Sequence, residues 1–420
     1  MLRLAKSKLG SAVKHPLLRE FLGFGSSTLL EQASRVITSL IVAGMVGPLV
    51  WGIWYVLNLA LRYGSLAHLG SLNGLNRQYA LEMGKGNAEE ATALLRASFG
   101  ALLVSVVVAS VISILVTLSF GQSEYLTSIL LTLVLLVFHQ LYGFTTTAYR
   151  ARIQFRNVSG FQAVIAFVNP AVSLPLTYFF GLNGFIVGQG IGYLVVVAYA
   201  FSREPALYRF AFDAVRAKRL IGIGFPIMLV GVLYALFNTV DRWIILQLFG
   251  TVELGYYSVA IMALGAAAML PQIVSQQFYP RMSREWGANR DLKELTRMAR
   301  TQGLLGLLPT AMVVVAAQLL GPPAIRWLLP EFMPGIPAFR IVMLAPLVNC
   351  FGQGYANLLN VTDRQYRYMG VLIAAIAGNA LFSYIFALRL GLSGIAWGTV
   401  LGFALFAGGL IMVGSRARQK

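Results

Sequence analysis

Long unbroken blocks of apolar residues, separated by short polar connections, recur along the whole chain. The blocks reach about 20 residues or more, the length that an α-helix needs to cross a hydrocarbon layer of about 30 Å. Leu, Ile, Val and Ala fill them, and ten-residue alternating segments are absent, so they predict helices rather than barrel strands. Twelve spans are predicted, at residues 21–46, 48–76, 97–119, 125–148, 159–180, 184–202, 220–248, 254–279, 301–320, 338–360, 367–388 and 392–413.

The composition supports a membrane protein. The 420 residues are 58% hydrophobic and only 11% charged, and the mean hydropathy is +0.72. A soluble core cannot absorb that much apolar surface. These values predict an all-α polytopic membrane protein with twelve transmembrane helices.

The net charge of +18 would suggest a nucleic-acid partner in a soluble protein, but the positions of the charges indicate otherwise. The N-terminus, every second connection and the C-terminus hold 27 of the 33 Lys and Arg. The opposite connections hold three, Arg326, Arg340 and Arg389. By the positive-inside rule both termini are predicted to be cytoplasmic, and no nucleic-acid partner is expected. The basic segment MLRLAKSKLGSAVKHPLLREF lacks the core of a signal peptide and is interpreted as a retained cytoplasmic segment.

The two halves of the chain resemble one another. GPLVWGIWYVLNLAL (47–61) aligns without gaps on GTVELGYYSVAIMAL (250–264), and the segment 169–192 aligns on 379–402. Since each half has six spans, both halves enter the membrane from the same side and form a parallel repeat. The prediction is two six-helix bundles, 1–205 and 206–420, of the kind that rock around a midplane cavity in transporters. The repeated glycines are expected to serve helix packing.

Several segments carry a family resemblance. DRWIILQLFGTVELGYYSVA (241–260) resembles the seventh-to-eighth helix segment of the polysaccharide and oligosaccharide-lipid flippases of the MOP (MATE-like) superfamily. The resemblance continues through FYPRMSREWGANRDLKELTRMAR (278–300) and the segment 357–403. GSLNGLNRQYALEMGKGN (70–87) and TAYRARIQFRNVSG (147–160) fit the same pattern. The match covers most of the chain, although each motif is loose.

The resemblance implies a V-shaped, MATE-like 6+6 bundle in a bacterial cytoplasmic (inner) membrane. Its implied function is to flip a polyprenyl-(pyro)phosphate-linked oligosaccharide outward by alternating access, for a surface polysaccharide such as lipopolysaccharide or exopolysaccharide. The implied partners are the lipid-linked oligosaccharide and membrane lipids, with a polysaccharide polymerase and export proteins as further candidates. The resemblance does not identify the sugar.

Polar side chains inside a span are expensive to insert and are therefore functional candidates. The predicted substrate-binding residues are Arg35, Arg62, His139, Asn169 and Asn379. A guanidinium binds phosphate oxygens bidentately and stays charged, which fits an anionic lipid carrier. Structural alternatives are a neutralising pair for Arg35, a hydrogen bond between helices for His139, and a partner for a backbone carbonyl freed by Pro170 for Asn169. Arg62 has no acid three or four residues away on its helix.

Glu31, Asp241 and Arg242 are the predicted coupling or gating residues. Glu31 lies four residues before Arg35, on the same helix face, and is a candidate for H⁺ or Na⁺ coupling or for neutralising Arg35. Asp241 and Arg242 are adjacent and point about 100° apart. Counted from the basic end of their span they lie towards the outer leaflet. An anchor or gate between the halves is favoured for them over ion coupling.

An enzyme is not predicted. The longest outer connection, 321–337, holds one acid, Glu331, and the three histidines are scattered. The single cysteine, Cys350, excludes a disulfide framework and a thiolate metal site, and no Walker A sequence is present. No catalytic residue, metal or cofactor is therefore expected. Two alternatives stay open: a multidrug or organic-cation antiporter on the same fold, and a non-transporting membrane scaffold for glycan assembly.

Overall fold

The structure, a computed structural model, describes residues 16–119, 125–211 and 213–416, in which every regular element is helical. Two short 3₁₀ segments, Pro205–Tyr208 and Pro330–Gly335, accompany the α-helices. The α-helices are α1 (Pro16–Gly64), α2 (Ser71–Gly84), α3 (Ala88–Ser119), α4 (Leu126–Ala151), α5 (Phe155–Arg203), α6 (Ala214–Phe237), α7 (Val240–Leu248), α8 (Thr251–Asn289), α9 (Leu292–Leu328), α10 (Ile336–Val342), α11 (Ala345–Val361), α12 (Gln365–Leu390) and α13 (Leu392–Arg416).

Helices α1 and α5 each contain two spans. Both have 49 residues and would extend for about 73 Å, more than twice the hydrocarbon thickness. Each is interrupted by a glycine with non-helical dihedrals, Gly47 (φ 76°, ψ 170°) and Gly181 (φ 57°, ψ −136°). By length and composition, the described residues provide nine helices that could cross a membrane, or ten if the bent pair Pro330–Val342 and Ala345–Val361 is one span. With the bent pair taken as one span and α1 and α5 each counted twice, the total is twelve, which is consistent with the prediction.

The predicted span 48–76 is wrong in extent. Helix α1 ends at Gly64, and residues 65–70 form turns before α2 begins. Leu69 and Gly70 have positive φ angles of 49° and 88°, which ends the helical path. The Nδ1 atom of His68 accepts a hydrogen bond from the Gly70 N–H at 3.0 Å and stabilises this turn. Arg62 consequently lies in the last turn of α1 and not in the middle of a span.

The predicted span 220–248 is also interrupted. Helix α6 ends at Phe237 and α7 begins at Val240. Asn238 and Thr239 each donate a side-chain hydrogen bond to a carbonyl four residues earlier, at 2.7 and 2.9 Å. Such side chains compete with the helical backbone for its acceptors. Asp241 therefore lies in the first turn of a new helix.

The repeat is visible in the backbone of the second half of each predicted bundle. Gly181 and Gly391 have the same dihedrals, φ 57° and ψ −136°. A methyl group added at Gly188 would lie 2.5 Å from Ser173, and one added at the equivalent Gly398 would lie 2.2 Å from the Ser383 hydroxyl. Only a residue without Cβ permits these close approaches, so the repeated glycines pack helices as predicted. The same applies at Gly184, Gly192, Gly394 and Gly402.

The chain divides into two compact units. Unit 1 consists of the residues up to Met45 together with Leu57–Leu229, and unit 2 consists of Val46–Val56 together with the residues from Val230 onward. The units differ from the predicted bundles 1–205 and 206–420 in two segments. The short segment Val46–Val56 lies in unit 2, and the first two-thirds of α6 lies in unit 1. The division into two six-helix bundles stays a prediction.

Aromatic side chains form the centre of the unit 2 core. The Phe237 ring lies 4.9 Å from the Phe403 ring and 5.2 Å from the Phe406 ring, and Tyr368 packs on Phe406 at 5.9 Å between centroids. Phe237 and Phe406 are each 1% exposed. The cluster joins the end of α6 to α12 and α13.

Candidate functional site

A polar stripe runs along the first part of α1, on the face that packs against α5. The Ser27 hydroxyl donates to Gln162 Oε1 at 2.9 Å, and the Ser34 hydroxyl donates to the Ala166 carbonyl at 2.5 Å. The stripe includes Ser27, Thr28, Glu31, Ser34, Arg35 and Thr38. Residues three and four apart share a helix face, so these side chains form one continuous polar surface in unit 1.

Glu31 and Arg35 form the ion pair expected from their spacing. Arg35 Nη2 lies 2.6 Å from Glu31 Oε1. The two side chains differ in accessibility, because the Glu31 side chain is 9% exposed whereas that of Arg35 is 50% exposed. The carboxylate neutralises the guanidinium from the buried side, and the other donors of Arg35 stay available to an anion.

Three aromatic side chains of α4 and α5 complete the cluster around this pair. The His139 ring lies 5.3 Å from the Tyr193 ring, and Tyr142 lies 5.0 Å from Tyr193. Both tyrosines interact electrostatically with Glu31 and Arg35, and Arg35 also acts on His139. His139 Nδ1 is buried and makes no hydrogen bond in the described structure. We call Glu31, Arg35, His139, Tyr142 and Tyr193 the α1–α4–α5 cluster.

Of the predicted site residues, the structure thus brings Glu31, Arg35 and His139 together. The sequence analysis missed Tyr142 and Tyr193. A signal for Tyr142 was present, since it lies three residues after His139 and therefore on the same face of α4. No sequence signal linked Tyr193 to the cluster, because its position depends on how the second half of α5 folds back after Gly181.

The repeat-related asparagines occupy equivalent packing positions. Asn169 donates to Gln189 Oε1 at 2.9 Å and packs against Gly192. Asn379 accepts a hydrogen bond from the Ser383 hydroxyl at 2.9 Å and packs against Gly402. Asn169 is 8% exposed and Asn379 only 1%. The contacts favour the structural alternative for both residues, and a ligand role for either stays a prediction.

Arg62 shares α1 with Glu31 and Arg35 but follows Arg35 by 27 residues. It belongs to the last turn of α1, is exposed, and its carbonyl accepts a hydrogen bond from the Ser65 hydroxyl at 2.7 Å. Its predicted role in substrate binding is not tested by this arrangement.

Asp241 and Arg242 are buried inside unit 2, with 5% and 8% exposure. The Arg242 guanidinium lies over the Tyr55 ring, 5.7 Å from its centroid, and its Nε atom makes no hydrogen bond within the described structure. Asp241 accepts a hydrogen bond from the Arg242 N–H at 2.9 Å and interacts with the Tyr257 hydroxyl. Arg242 thus contacts α1 through Tyr55, and Asp241 contacts α8 through Tyr257. These contacts fit an anchor between the predicted bundles. That role stays a prediction.

A crossing of glycines holds Val46–Val56 against α8. Cβ atoms added at Gly52 and Gly255 would lie 1.8 Å from the Thr251 carbonyl oxygen and 2.0 Å from that of Pro48. Next to this crossing, the Tyr55 hydroxyl reaches the Ser258 carbonyl at 3.4 Å. The two backbones are therefore in direct contact, which only small residues allow.

A second group of charges joins the polar ends of α2, α3 and α6 in unit 1. Arg216 Nη2 lies 2.7 Å from Glu90 Oε2, and Arg219 contacts Glu82 at 3.3 Å and Glu90 at 3.4 Å. Arg216 also contacts Asp213 at 2.5 Å. We call Glu82, Glu90, Asp213, Arg216 and Arg219 the ion-pair cluster. It was not identified from the sequence, where its members lie in separate loops.

Hydrogen-bond donors from neighbouring residues lower the pKa values of two acids of this cluster. The ammonium group of Lys85 donates to Glu82 at 3.0 Å and is the main cause of the lowered pKa of Glu82. The pKa of Asp213 is lowered chiefly by the hydrogen bond from the Arg216 N–H, at 2.9 Å. Both carboxylates therefore stay ionised at neutral pH.

The described residues contain no group of three or more His, Cys, Asp and Glu side chains that could hold a metal ion. The side chains of these polar clusters are suited to three interactions. Arg35 can bind an anion, the arginines and acids of the ion-pair cluster can change partners, and the polar groups can form hydrogen bonds with hydroxyl groups.

Comparisons with solved structures identify the fold. An inward-facing multidrug resistance MATE family transporter of the MOP superfamily superposes with a TM-score of 0.73 at 16% identity, over 92% of this chain and 94% of that chain. A Vibrio cholerae MATE transporter mutant gives 0.65 at 15% identity over 98% of both chains. An outward-facing MATE transporter of the MOP superfamily gives 0.63 at 15% identity over 95% of both. At such identities the likeness concerns the fold alone.

The sequence comparisons identify the family. A search of curated proteins gives no match. A family model described as "Polysaccharide biosynthesis protein" matches residues 87–329, which is more than half of the chain and includes α3 to α9. The chain is therefore a multi-pass membrane protein with the fold of MATE transporters, and it belongs to the polysaccharide biosynthesis protein family.

Proposed function

We propose that the protein flips a polyprenyl-(pyro)phosphate-linked oligosaccharide from the cytoplasmic to the outer face of a bacterial cytoplasmic membrane. The observation that carries the proposal is Arg35, whose half-exposed side chain lies in a helical unit of a polysaccharide biosynthesis protein and, among the described residues, has only Glu31 as its ion-pair partner. An arginine in a membrane span is costly unless it has a partner or a ligand. Glu31 occupies only one edge of this guanidinium, so an anionic group has room to bind at the others.

The phosphate group is assigned to Arg35 because a guanidinium stays charged and offers donors in a planar fork. Glu31 holds that fork in place in the absence of substrate, at 2.6 Å. A bound phosphate then shares Arg35 with Glu31, and the local charge changes from neutral to negative. Binding is therefore expected to be reversible rather than very tight, as a carrier requires.

The sugar is assigned to the aromatic groups of the α1–α4–α5 cluster and to the amide of Asn169. His139 has an unused buried nitrogen, and Tyr142 is partly exposed next to it. Ring faces and hydroxyl groups together suit a sugar, which presents apolar C–H faces and hydroxyl groups. Asn169 has a buried carbonyl oxygen without a hydrogen bond. It is the amide candidate because it lies on α5, the helix that also carries Tyr193.

Coupling to H⁺ or Na⁺ is assigned to Glu31 in preference to Asp241. Glu31 belongs to the same cluster as the proposed phosphate ligand, so its charge can respond to substrate. Asp241 is enclosed in unit 2 by Arg242 and Tyr257 and fits an anchor better. Glu31→Gln should remove any dependence of flipping on the proton gradient, and an unchanged dependence would exclude coupling at Glu31.

The test is glycan export in a cell whose surface polysaccharide depends on this protein. Arg35→Ala and Arg35→Lys are compared at matched membrane abundance with Arg297→Ala, which removes an exposed arginine (76% accessible) far from any span centre. We expect Arg35→Ala to lose export and to accumulate lipid-linked intermediate on the inner face. Arg35→Lys should retain part of the export, and Arg297→Ala should behave as wild type.

Other outcomes point to the alternatives. Full export in both Arg35 variants would contradict an anion-binding role for Arg35 and favour a membrane scaffold for glycan assembly. Lost resistance to organic cations with normal glycan export would indicate a cation exporter. A tag at each terminus that is accessible only from the cytoplasm would support the predicted orientation.

A further inference from the structure

The first two-thirds of α6, up to Leu229, belongs to unit 1. By the sequence repeat α6 begins the second predicted bundle, yet its residues up to Leu229 pack in unit 1. Two kinds of contact hold it there, a glycine crossing and the ion-pair cluster. Both lie at the end of the molecule that the positive charges predict to be cytoplasmic.

The glycine crossing brings α6 against the start of α2 without interlocking side chains. A Cβ added at Gly74 would lie 2.1 Å from the Leu220 carbonyl oxygen, and one added at Gly224 would lie 1.9 Å from that of Gly70. Gly70 also has the positive φ of 88° that ends the turn before α2. Surfaces that meet through backbone atoms alone can separate without any side chain having to change its rotamer.

The ion-pair cluster is built so that separation leaves no buried charge without a partner. Glu82, whose side chain is only 5% exposed, keeps Lys85 of its own segment at 3.0 Å when Arg219 leaves. Arg216 likewise keeps Asp213 at 2.5 Å when it leaves Glu90. Removing one partner from a buried ion pair is normally strongly destabilising, and the duplicate local partners avoid this penalty.

The two remaining members also tolerate separation. Glu90 lies in the first turn of α3, where the helix dipole stabilises a negative charge, and its N–H donates to Asn87 Oδ1 at 3.3 Å. Arg219 is 44% accessible and can be hydrated. Only the contacts between α6 and the α2–α3 segment are lost. In each of them the arginine is partly exposed, and Glu82, the one buried acid, keeps Lys85.

We propose that this contact is the cytoplasmic gate of the transporter, which opens by separating residues 213–225 from residues 70–90. The proposal rests on the proposed function and adds to it the element that moves on the cytoplasmic side. Opening breaks the contacts of Arg216 and Arg219 with Glu82 and Glu90, while Lys85 and Asp213 keep their own partners charged and paired.

Leu220 provides a reporter, because it is 0% exposed in the closed contact. Leu220→Cys is introduced into a Cys350→Ser background, which removes the single native thiol. The rate of maleimide labelling in the full-length protein is measured alone, with Glu90→Arg, and with the charge exchange Glu90→Arg/Arg216→Glu. Glu294→Arg is the matched control, since it disrupts another cytoplasmic-side pair, Glu294–Arg297, at 2.7 Å.

We expect Glu90→Arg to raise the labelling rate about tenfold, the range for a few partly exposed ion pairs. The charge exchange should restore part of the slow rate, because it re-forms the pair between positions 90 and 216 but places like charges next to Asp213 and Arg219. Glu294→Arg should leave the rate unchanged. Equal rates in all variants would overturn the proposal. It would also be overturned if the charge-exchanged protein, folded by size-exclusion chromatography, were labelled as fast as Glu90→Arg or faster. If Leu220→Cys fails to fold, Leu75→Cys on α2, also 0% exposed, replaces it.

A second arm connects the gate to transport. Glu90→Cys/Arg216→Cys is bridged in cells with a bifunctional thiol reagent, and export is expected to stop and to recover after reductive release. Unchanged export in the bridged protein would overturn the gate. The labelling assay does not depend on the substrate, so a gate that opens in a protein without flippase activity would contradict only the proposed function.

Discussion

Gly52 and Gly255 occupy equivalent positions in the two halves of the chain, and each lies against a backbone carbonyl of the helix that carries the other. Gly52 approaches the Thr251 oxygen and Gly255 approaches the Pro48 oxygen. Pro48 and Thr251 are themselves equivalent in the repeat, since both pairs are 203 residues apart. The contact is therefore reciprocal, as in an isologous dimer interface formed within one chain.

Substitution of either glycine by alanine should destabilise the protein. The added methyl group would lie 1.8 Å from a carbonyl oxygen at Gly52 and 2.0 Å at Gly255, so the helices must move apart. Overpacking of this kind costs about 1–3 kcal/mol in the free energy of unfolding. The measurement is unfolding by SDS titration in mixed micelles. Gly265→Ala on α8 is the control, because nothing lies within 4 Å of its added Cβ, and it should be as stable as wild type or slightly more so.

Asp241 and Arg242 should be energetically coupled. Replacing Asp241 with Asn leaves Arg242 as a buried cation beside Tyr55, and replacing Arg242 with Gln leaves a buried carboxylate. Each single change is expected to cost about 3 kcal/mol, and the double variant less than the sum of the two. The same SDS titration provides the double-mutant cycle. Additive losses would show that the two charges do not stabilise each other.

Alanine at the two repeat-related asparagines should have different effects. Asn379 is 1% exposed and packed on Gly402. Asn379→Ala is therefore expected to reduce stability by about 1–2 kcal/mol and to leave export per molecule unchanged. Asn169→Ala should lower export at matched abundance, because Asn169 lies in α5 with the proposed sugar contacts. Unchanged export per molecule in both variants would assign both residues to packing.

The ion-pair cluster should not respond to pH in the physiological range. A carboxylate whose folded-state pKa is lowered stabilises the folded contact above its ordinary pKa, and this contribution is lost as the pH falls through the lowered value. The pKa values of Glu82 and Asp213 are both lowered, from ordinary values of 4.5 and 3.8. Labelling of Leu220→Cys, normalised to the unfolded protein at each pH, should be constant between pH 6 and 8 and rise only in acid below these values. A change near pH 7 would contradict this assignment.

The fold was largely predictable from the sequence, because bilayer thickness fixes the length of each apolar block. The repeat was readable from glycines such as Gly181 and Gly391, which a helix needs where its backbone adopts positive φ. The helix breaks after Gly64 and Phe237 were missed. They depend on single side chains, His68, Asn238 and Thr239, that compete for backbone groups within segments of otherwise continuous hydropathy.

The candidate site was predictable only in part. Glu31 and Arg35 share one helix, so their spacing alone predicts the contact. Tyr193 joins them from a distant part of the sequence, and the ion-pair cluster connects Glu82 with Arg219 across 137 residues. Contacts of this kind depend on tertiary packing, which local patterns do not specify.

Val46–Val56 comes early in the chain but belongs to unit 2, and this has a consequence for biosynthesis. Gly52 precedes its packing partner Thr251 by 199 residues, which a ribosome adds in about 10–40 s at 5–20 residues per second. During that interval the beginning of the second span lies in the membrane without the helix it will touch. No single cut in the chain separates the two units, so neither half is expected to fold to its final form before translation has passed α8.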